Sequence, residues 1–497
     1  DRLPPGRSLA KQLGVSRNTI SAAFAQLPAE GFIEGRQGSG TFVAQLWSRE
    51  DGGTSVQRPA GKAGHRASRS QREPAELSRR GAYLAELRVT RSKICARSVP
   101  FGPGVPDLAG FPFAEFARLN ARLLREMETE PARFGYGAAQ GLPELREAIG
   151  AHVRIDRGVR CDPEQIVVGN GSQQGLDLCA RMLLDPGDVA FVEEPGYLGA
   201  RAALRAVGAE VVGVPVGERG IDVAALQRGF AQHAPRRALL YTTPSHQFPL
   251  GMTLGLNERL RLLEFARESG LLILEDDYDS EYRYDRKTER GQVRGRPISA
   301  LQGLDEDGQS VVYLGTFSKV LAPGLRLGYI VLPPQLVPAF VSTRGILDRQ
   351  PAAMTQAAVA RFLAEGGYHR HVRRMRARYQ ERRSALLAEL EGLPAFRALP
   401  GETGLHITAV LREDWLADNE ARLRRAYPRA VRGDPGQPFD ALLSEVAAMH
   451  GLDLPPLSNY YLNRRRPEQQ GLLFGFAAYE PRAMRSAARK LARLLSA

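Results

Sequence analysis

Residues 315–329, GTFSKVLAPGLRLGY, decide how the larger part of this chain folds. The run VVYLG that leads into them is short, β-branched and apolar, as a buried strand should be. Thr316, Ser318 and Lys319 follow at its carboxyl end, where open α/β sheets place their ligand groups. Arg326, seven residues past the lysine, is near enough in sequence to fold back on the same place. A lysine so placed suits covalent chemistry with a carbonyl compound, provided its surroundings keep the amine neutral.

The same pattern recurs on both sides of that stretch. QIVVGNGSQQG, DVAFVEEPGY, AEVVGVPV, ALLYTTPSHQFP, LLILEDDYDS and LGYIVLP are apolar runs bounded by Gly or Pro, several of them ending in polar loops. SQQGLDLCARMLL and NERLRLLEFARESG between them read as helices. The alternation predicts an α/β, mostly parallel, doubly wound sheet beginning near residue 94. After about residue 340 a helix-rich stretch and a smaller C-terminal α+β portion follow.

The 497 residues exceed one core and suggest roughly two to four domains. A hydrophobic content of 43% and a charged content of 25% are those of a soluble globular protein. The net charge of +13 favours a polyanionic partner, nucleic acid first. Cys95, Cys161 and Cys179 are far apart and form no CxxC, which excludes a zinc knuckle or a disulfide framework and fits a reducing cytoplasm. With no signal core and no apolar run of about 18 residues, no membrane partner is expected. The chain opens at Asp1, without Met, so its native start is expected upstream.

Three zones result: residues 1–46, 47–93 and 94–497. The middle zone, with SREDGGTSVQRPAGKAGHRASRSQREP, has few apolar side chains and reads as a basic, flexible linker, with a helix near AELSRRGAYLAELR. Its Arg and Lys suit either a solvated spacer or extra phosphate contacts. In the first zone GRSLAKQLGVSRNTISAAFAQLPAEGF reads as helix, turn, helix. Leu9, Ala10 and Leu13 share one face, Gly14 takes the positive φ of the turn, and Ser16 caps the second helix. Ile20, Ala23, Phe24 and Leu27 form that helix's apolar stripe, and its first turn offers Arg17, Asn18 and Thr19 to phosphates and base edges. FIEGRQGSGTFV is a hairpin whose tip, Arg36, Gln37, Gly38, Ser39 and Gly40, can approach a DNA backbone.

Pyridoxal phosphate is the usual carbonyl partner of such a lysine, and its needs can be searched for. The ring nitrogen needs a carboxylate, the phenolic oxygen a donor, the ring face a flat plate, and the phosphate a Gly-rich helix start with hydroxyls and an Arg. Asp276 follows the strand LLIL, with Tyr278 two residues on. Gly171, Ser172 and Gln173 open a helix after IVV, Thr316, Ser318 and Arg326 surround Lys319, and Tyr197 is a candidate plate. Each feature alone is ordinary, and their joint occurrence in one α/β unit carries the reading. EDDYD also fits a solvated acidic loop or a metal site; the want of a nearby His/Asp cluster argues against metal.

LPPGRSLAKQLGVSRNTISAAFAQLPAEGFIEGRQGSGTFV resembles the winged helix-turn-helix of GntR-type transcription regulators. From about residue 95 onward the chain resembles the fold-type-I aminotransferases, and EDDYDSEYRY, GTFSKVLAPGLRLGY and TPSHQFPLG resemble in particular the MocR subgroup, which fuses the two. The resemblance implies that Lys319 carries pyridoxal phosphate as a Schiff base, Asp276 pairs with its pyridinium, Tyr278 bonds its phenolic oxygen and Tyr197 stacks on it. It implies that Ser172, Gln173, Thr316, Ser318 and Arg326 hold the phosphate, and that Tyr136, in FGYGAAQGLPELR, reaches the phosphate of a partner subunit, giving a homodimer.

The departures from the pattern matter. The winged helix lacks its supporting first helix, and Pro28 falls inside the recognition helix, where it removes a donor, so weak DNA binding is expected. Phe248-Pro249 replaces Asn-Pro, with His246 or Gln247 as substitutes for the lost donor, and Phe116 replaces a Trp. Ala478 occupies the position of the Arg that grips an amino acid's carboxylate, with Arg482 and Arg201 as substitutes; without a cation there, about 1.5–3 kcal/mol of charge-assisted binding is lost. The expected function is a pyridoxal-phosphate-dependent regulator of transcription on double-stranded DNA, answering to an amine, an amino acid or the cofactor itself. The alternatives are an active aminotransferase, for which Ala478 is a handicap, and a scaffold that has lost the cofactor.

Overall fold

The computed structural model describes residues 1–44, 76–87, 99–284, 286–288, 291–293, 298–431, 434 and 436–496. Cys95 and most of the basic middle zone lie outside these residues. The chain divides into two compact units, Asp1–Glu76 and Leu77–Ala497.

In the first unit α1 (Gly6–Leu13) and α2 (Arg17–Gln26) are joined through Gly14, whose φ of 65° is the left-handed turn conformation open to glycine. Ser16 caps α2, its Oγ accepting from Thr19 N at 3.1 Å. Ala10, Ile20 and Ile33 form the small core, while Leu13 is 61% exposed and does not join the buried face. α2 ends at Gln26, so Pro28 lies in the turn beyond it rather than inside the recognition helix. Its ring therefore removes no helical donor, contrary to the reading from sequence, and its carbonyl closes the turn by accepting from Gly31 N at 3.1 Å. β1 (Ile33–Arg36) and β2 (Gly40–Val43) form the antiparallel wing. Asp1 to Leu3 add a third short rung, with Leu3 N donating to Thr41 O at 2.8 Å.

The second unit opens with the helix Arg79–Glu86, which the sequence placed correctly, and Arg80 donates to Ala206 O at 3.2 Å. Its main sheet is built from β3 (Ile166–Gly169), β4 (Val189–Glu194), β5 (Glu210–Gly217), β6 (Gly220–Ile221), β7 (Ala238–Thr242) and β8 (Leu272–Asp277). After a short hairpin, β9 (Arg286–Thr288) and β10 (Gly291–Val293), come β11 (Val311–Thr316) and β12 (Gly328–Val331). The strand order is β3-β12-β11-β8-β7-β4-β5-β6. β11, β8, β7, β4 and β5 run parallel, and β12 and β6 are antiparallel to their neighbours. β11 is buried along its whole length and β8 along all but its first residue, which explains their apolar runs. The C-terminal portion packs the helices Gly367–Glu391 and Pro481–Ser496 together, beside an antiparallel sheet of β13 (Phe396–Ala398), β14 (His406–Leu411) and β15 (Gly471–Gly475). Phe116, where a Trp was the common residue, is buried against Phe111 and Phe362 and fills core space. Among the described residues no helix is long and apolar enough to cross a membrane.

Candidate cofactor site and DNA-contacting unit

Neighbouring parallel strands bring the sequence candidates together at the carboxyl ends of the sheet's interior strands. β11 pairs with β8 so that Leu314 faces Asp276, and β7 lies on the far side of β8. Lys319, three residues past β11, donates from Nζ to Gly104 O at 2.8 Å. Gly104 has φ 71°, and a Cβ there would stand 3.1 Å from Nζ, so this glycine leaves the amine room. Burial holds the lysine's pKa below its ordinary value, while Asp279 and Asp276 pull it back up. Such an amine reaches its neutral, nucleophilic form more readily than a solvent lysine.

Asp276 accepts from the Tyr241 hydroxyl on Oδ2 at 2.7 Å. Its Oδ1 is buried and has no hydrogen-bond partner among the described residues. Burial pushes its pKa up to about 7; the Tyr241 bond and the Lys319 charge oppose the rise, and Asp277 adds to it. A bare carboxylate oxygen in a dry site is costly unless a donor or cation meets it. A protonated pyridine nitrogen is such a partner, so the residues fit pyridoxal phosphate. The anion end fits as well. Gly171, at φ 96°, precedes the helix Ser172–Leu183, and a Cβ on it would stand 3.3 Å from the Arg326 guanidinium. Arg326 itself has φ 48° and donates to Asn170 O at 3.0 Å, which fixes its charge beside the helix start. Thr316 Oγ1 accepts from Ser318 N at 3.2 Å, which shapes the loop before the lysine.

Tyr197 is largely buried, which pushes its pKa up to about 12, and its hydroxyl donates to Gln173 Oε1 at 3.2 Å. Gln173 also donates to Gly199 O at 3.0 Å, so its side chain orients Tyr197. The Tyr278 hydroxyl donates to His246 O at 2.9 Å and lies 2.9 Å from His246 Nδ1, which in turn lies 2.9 Å from Asp279 Oδ1. Phe248 packs edge-on against Tyr197 and Tyr278, with ring centroids 5.7 and 6.2 Å away.

Of the two substitutes for the missing Asn donor, Gln247 is committed to Pro195 O at 2.9 Å and Phe248 O at 2.8 Å, whereas His246 keeps a buried Nε2 with no partner among the described residues. Neither substitute for the missing arginine arrives. Arg201 is buried against Glu194 at 3.0 Å, and Arg482 is exposed in the first turn of Pro481–Ser496. The reason for setting metal aside at EDDYD also falls, since folding brings His246 and His406 to Asp279, with ligand-type atoms within 4.8 Å of one another. Within this group His246 Nδ1 lies 2.9 Å from Asp279 Oδ1, and His406 Nε2 lies 3.1 Å from Pro249 O.

Tyr136 does not join the Lys319 cluster. It is 85% exposed beneath the Arg349 guanidinium, 4.7 Å from its ring centroid, and lines a separate cavity of about 620 Å³. Sequence reading missed Gly104, Tyr241 and His406. Tyr241 stands in the quoted run ALLYTTPSHQFP, but its partnership needs the strand order to be seen.

In the first unit Arg17, Asn18 and Thr19 are exposed at the start of α2, as expected. The residues Gln37, Gly38 and Ser39 form the exposed wing tip, flanked by Arg36 and Gly40. Arg36 is paired with Glu34 at 2.6 Å, so it would have to exchange that partner for a phosphate. Arg2, not singled out before, comes against the wing, where a Cβ on Gly40 would stand 3.0 Å from its Nε.

Residues 1–43 match the family of bacterial regulatory proteins of the gntR type, and residues 101–439 match aminotransferase class I and II. Over 488 residues the chain is 38% identical to the probable rhizopine catabolism regulatory protein MocR of Rhizobium meliloti, covering 97% of this chain and 87% of that protein. The chain belongs to the MocR family. Another family member, the pyridoxine biosynthesis transcriptional regulator PdxR of Corynebacterium glutamicum, is 32% identical over 98% of this chain and 89% of its own. The fold is that of the multiple substrate aminotransferase of Thermococcus profundus, with a TM-score of 0.70, 25% identity, and 84% of this chain and 97% of that one covered. A MocR-family chain of this build is a DNA-binding transcription regulator with a pyridoxal-phosphate-binding, aminotransferase-like domain.

Proposed function

We propose that pyridoxal phosphate binds covalently on Lys319, and that an amine ligand or the cofactor's own occupancy sets how the winged helix holds double-stranded DNA. The observation that carries this reading is the unpaired, buried Asp276 Oδ1, one strand away from a lysine whose amine burial has weakened as a base. When bound, pyridoxal phosphate supplies an electrophilic carbon that can pass from the lysine amine to a ligand amine. Asp276 keeps a proton on the ring nitrogen. The backbone of Gly171, Ser172 and Gln173, with Thr316, Ser318 and Arg326, holds the phosphate. Tyr197 covers the ring face, and Tyr278, placed by His246 and Asp279, serves the phenolic oxygen. On DNA, Ser16 to Thr19 meet the groove, and Arg36 to Gly40 with Arg2 meet the backbone.

With Ala478 in place of the arginine, Arg201 paired with Glu194 and Arg482 exposed, neither substitute weighed for the ligand α-carboxylate is offered to it. The effector is therefore an amine without that group, or pyridoxal phosphate itself, and full transamination of amino acids is disfavoured. Tyr136 reaches the phosphate of a second copy, which makes the working form a homodimer, and the exposed ring above a groove supports this. We place the DNA-binding domain at residues 1–46, the linker at 47–93 and the effector domain at 94–497, in a cytoplasmic protein.

The test is an absorbance titration of the pyridoxal-phosphate-loaded protein against amines and amino acids, with DNA binding followed in parallel. A spectral shift with an amine, absent in Lys319→Ala, is expected together with changed DNA affinity. A colourless protein overturns the reading. Sustained turnover of an amino donor with a keto acid favours the aminotransferase.

A further inference from the structure

A second cluster of chemistry-bearing side chains lies outside the cofactor site. His152 and Asp156 are four residues apart on the helix Pro143–Arg157 and so share one face. His369 enters from the first turn of the helix Gly367–Glu391. His152 Nδ1 lies 2.9 Å, and His369 Nδ1 3.4 Å, from the same oxygen, Asp156 Oδ2. All three ligand-type atoms fall within 4.8 Å of one another.

His152 is 4% exposed, yet its Nδ1 makes no hydrogen bond among the described residues, despite the carboxylate 2.9 Å away. The two atoms are close but poorly aligned for a hydrogen bond. Two donors that are close without facing each other can meet at a shared third point. Zinc-type bonds of about 2.0–2.2 Å put tetrahedral ligands about 3.3–3.6 Å apart, which matches the His369–Asp156 separation of 3.4 Å and asks the His152–Asp156 pair, at 2.9 Å, to open by about half an ångström.

The surroundings agree. His152 Nε2 faces Glu281 Oε1 at 3.9 Å, beyond a hydrogen bond but within reach of the outer carboxylate contact that a metal-bound imidazole commonly makes. Glu281 is itself held by the Tyr368 hydroxyl at 2.7 Å. Asp156 closes its helix at the negative end, which favours a cation, while His369 stands at a positive end, which opposes one. Arg376 is also near, but its guanidinium is spent on Glu281 O at 2.6 and 3.0 Å. The two carboxylates outweigh these. His152 and His369 both line the 620 Å³ cavity, which leaves room for water as a further ligand.

We propose that His152, Asp156 and His369 form a site for one divalent transition-metal ion of the zinc class, with Glu281 as its outer support. Glu281 lies in the same EDDYDSE stretch as Asp276, at the end of β8, and Tyr278, so an ion here would brace the segment that serves the cofactor.

Tag-free, chelator-stripped, pyridoxal-phosphate-loaded full chain is titrated with Co²⁺ and then Zn²⁺. Saturation of a Co²⁺ visible band at one ion per chain is expected, with displacement by Zn²⁺. His369→Ala and Asp156→Asn abolish the band, and Glu281→Gln weakens binding about 10-fold. His369 is 44% exposed, so its removal leaves the fold standing, which the far-ultraviolet spectrum checks. The absence of a saturable band overturns the proposal. So does a band that survives both ligand variants, or one lost only in His406→Asn, which would put the ion at the His246 cluster.

Discussion

At the residue scale Asp276 has the clearest consequences. Its pKa of about 7 stands above the value of 3.8 for an ordinary aspartate. Without cofactor the folded chain therefore binds more protons than the unfolded chain between those pH values. The stability contributed by this group is full below about pH 4 and is lost as pH rises toward 7. Urea unfolding of cofactor-free protein at pH 4.5 and 7.5 should show a loss across that interval that is smaller in Asp276→Asn. The same substitution removes the charge opposite the ring nitrogen. Loss of one charge-assisted bond, about 1.5–3 kcal/mol, predicts roughly 10- to 150-fold weaker pyridoxal phosphate binding, read by fluorescence or equilibrium dialysis.

At the element scale two contacts show how the site and the DNA reader are held in place. Arg157 ends its helix inside the protein, donating to Asp277 Oδ2 at 2.6 Å and to Ser245 Oγ at 2.6 Å, and Tyr313 donates to the same carboxylate oxygen at 2.7 Å. The second aspartate of EDDYD, Asp277, is thus half of a structural ion pair that clamps the end of β8, next to Asp276. Arg157→Met leaves a buried carboxylate without its cation. It should cost about 3–5 kcal/mol in chemical unfolding, whereas Arg157→Met with Asp277→Leu should recover much of that loss. In the first unit the Ser16 cap sets where α2 begins, and hence which side chains its first turn presents. Ser16→Ala should destabilise that helix by about 0.5–2 kcal/mol and weaken DNA binding, seen as a lower melting temperature of the winged helix and a weaker gel shift.

At the scale of the whole molecule, regulation requires that the ligand interact differently with two arrangements of the two units; a ligand indifferent to them shifts nothing. DNA affinity should thus change with amine only when the cofactor is bound. Arg17→Ala should lower both affinity and the salt slope, the latter by about one, without altering cofactor absorbance. The proposed homodimer has its own test. Chains carrying Tyr136→Ala and chains carrying Lys319→Ala, mixed and reassociated, should restore one complete site per mixed dimer. Recovery of cofactor binding above that of either parent is the expected result, and no recovery would place Tyr136 outside the partner's site.

The residue types at the strand ends were legible in the sequence because chemistry dictates them. The lysine proposed to form the Schiff base, the acid proposed for the ring nitrogen and the glycine at a helix start each have a pattern, and each follows an apolar run that folds as a buried strand. The cap at Ser16 and the turn at Gly14 were legible for the same local reason. Partnerships across the chain were not. Gly104 reaches Lys319 over more than two hundred residues, Tyr241 meets Asp276 because β7 and β8 are neighbours, and His406 meets His246 from another sheet. Pro28 was misplaced because the end of α2 is set by the turn that follows it. Local patterns are written in adjacent residues, whereas the buried pairings depend on strand order and burial, which exist only once the chain has packed.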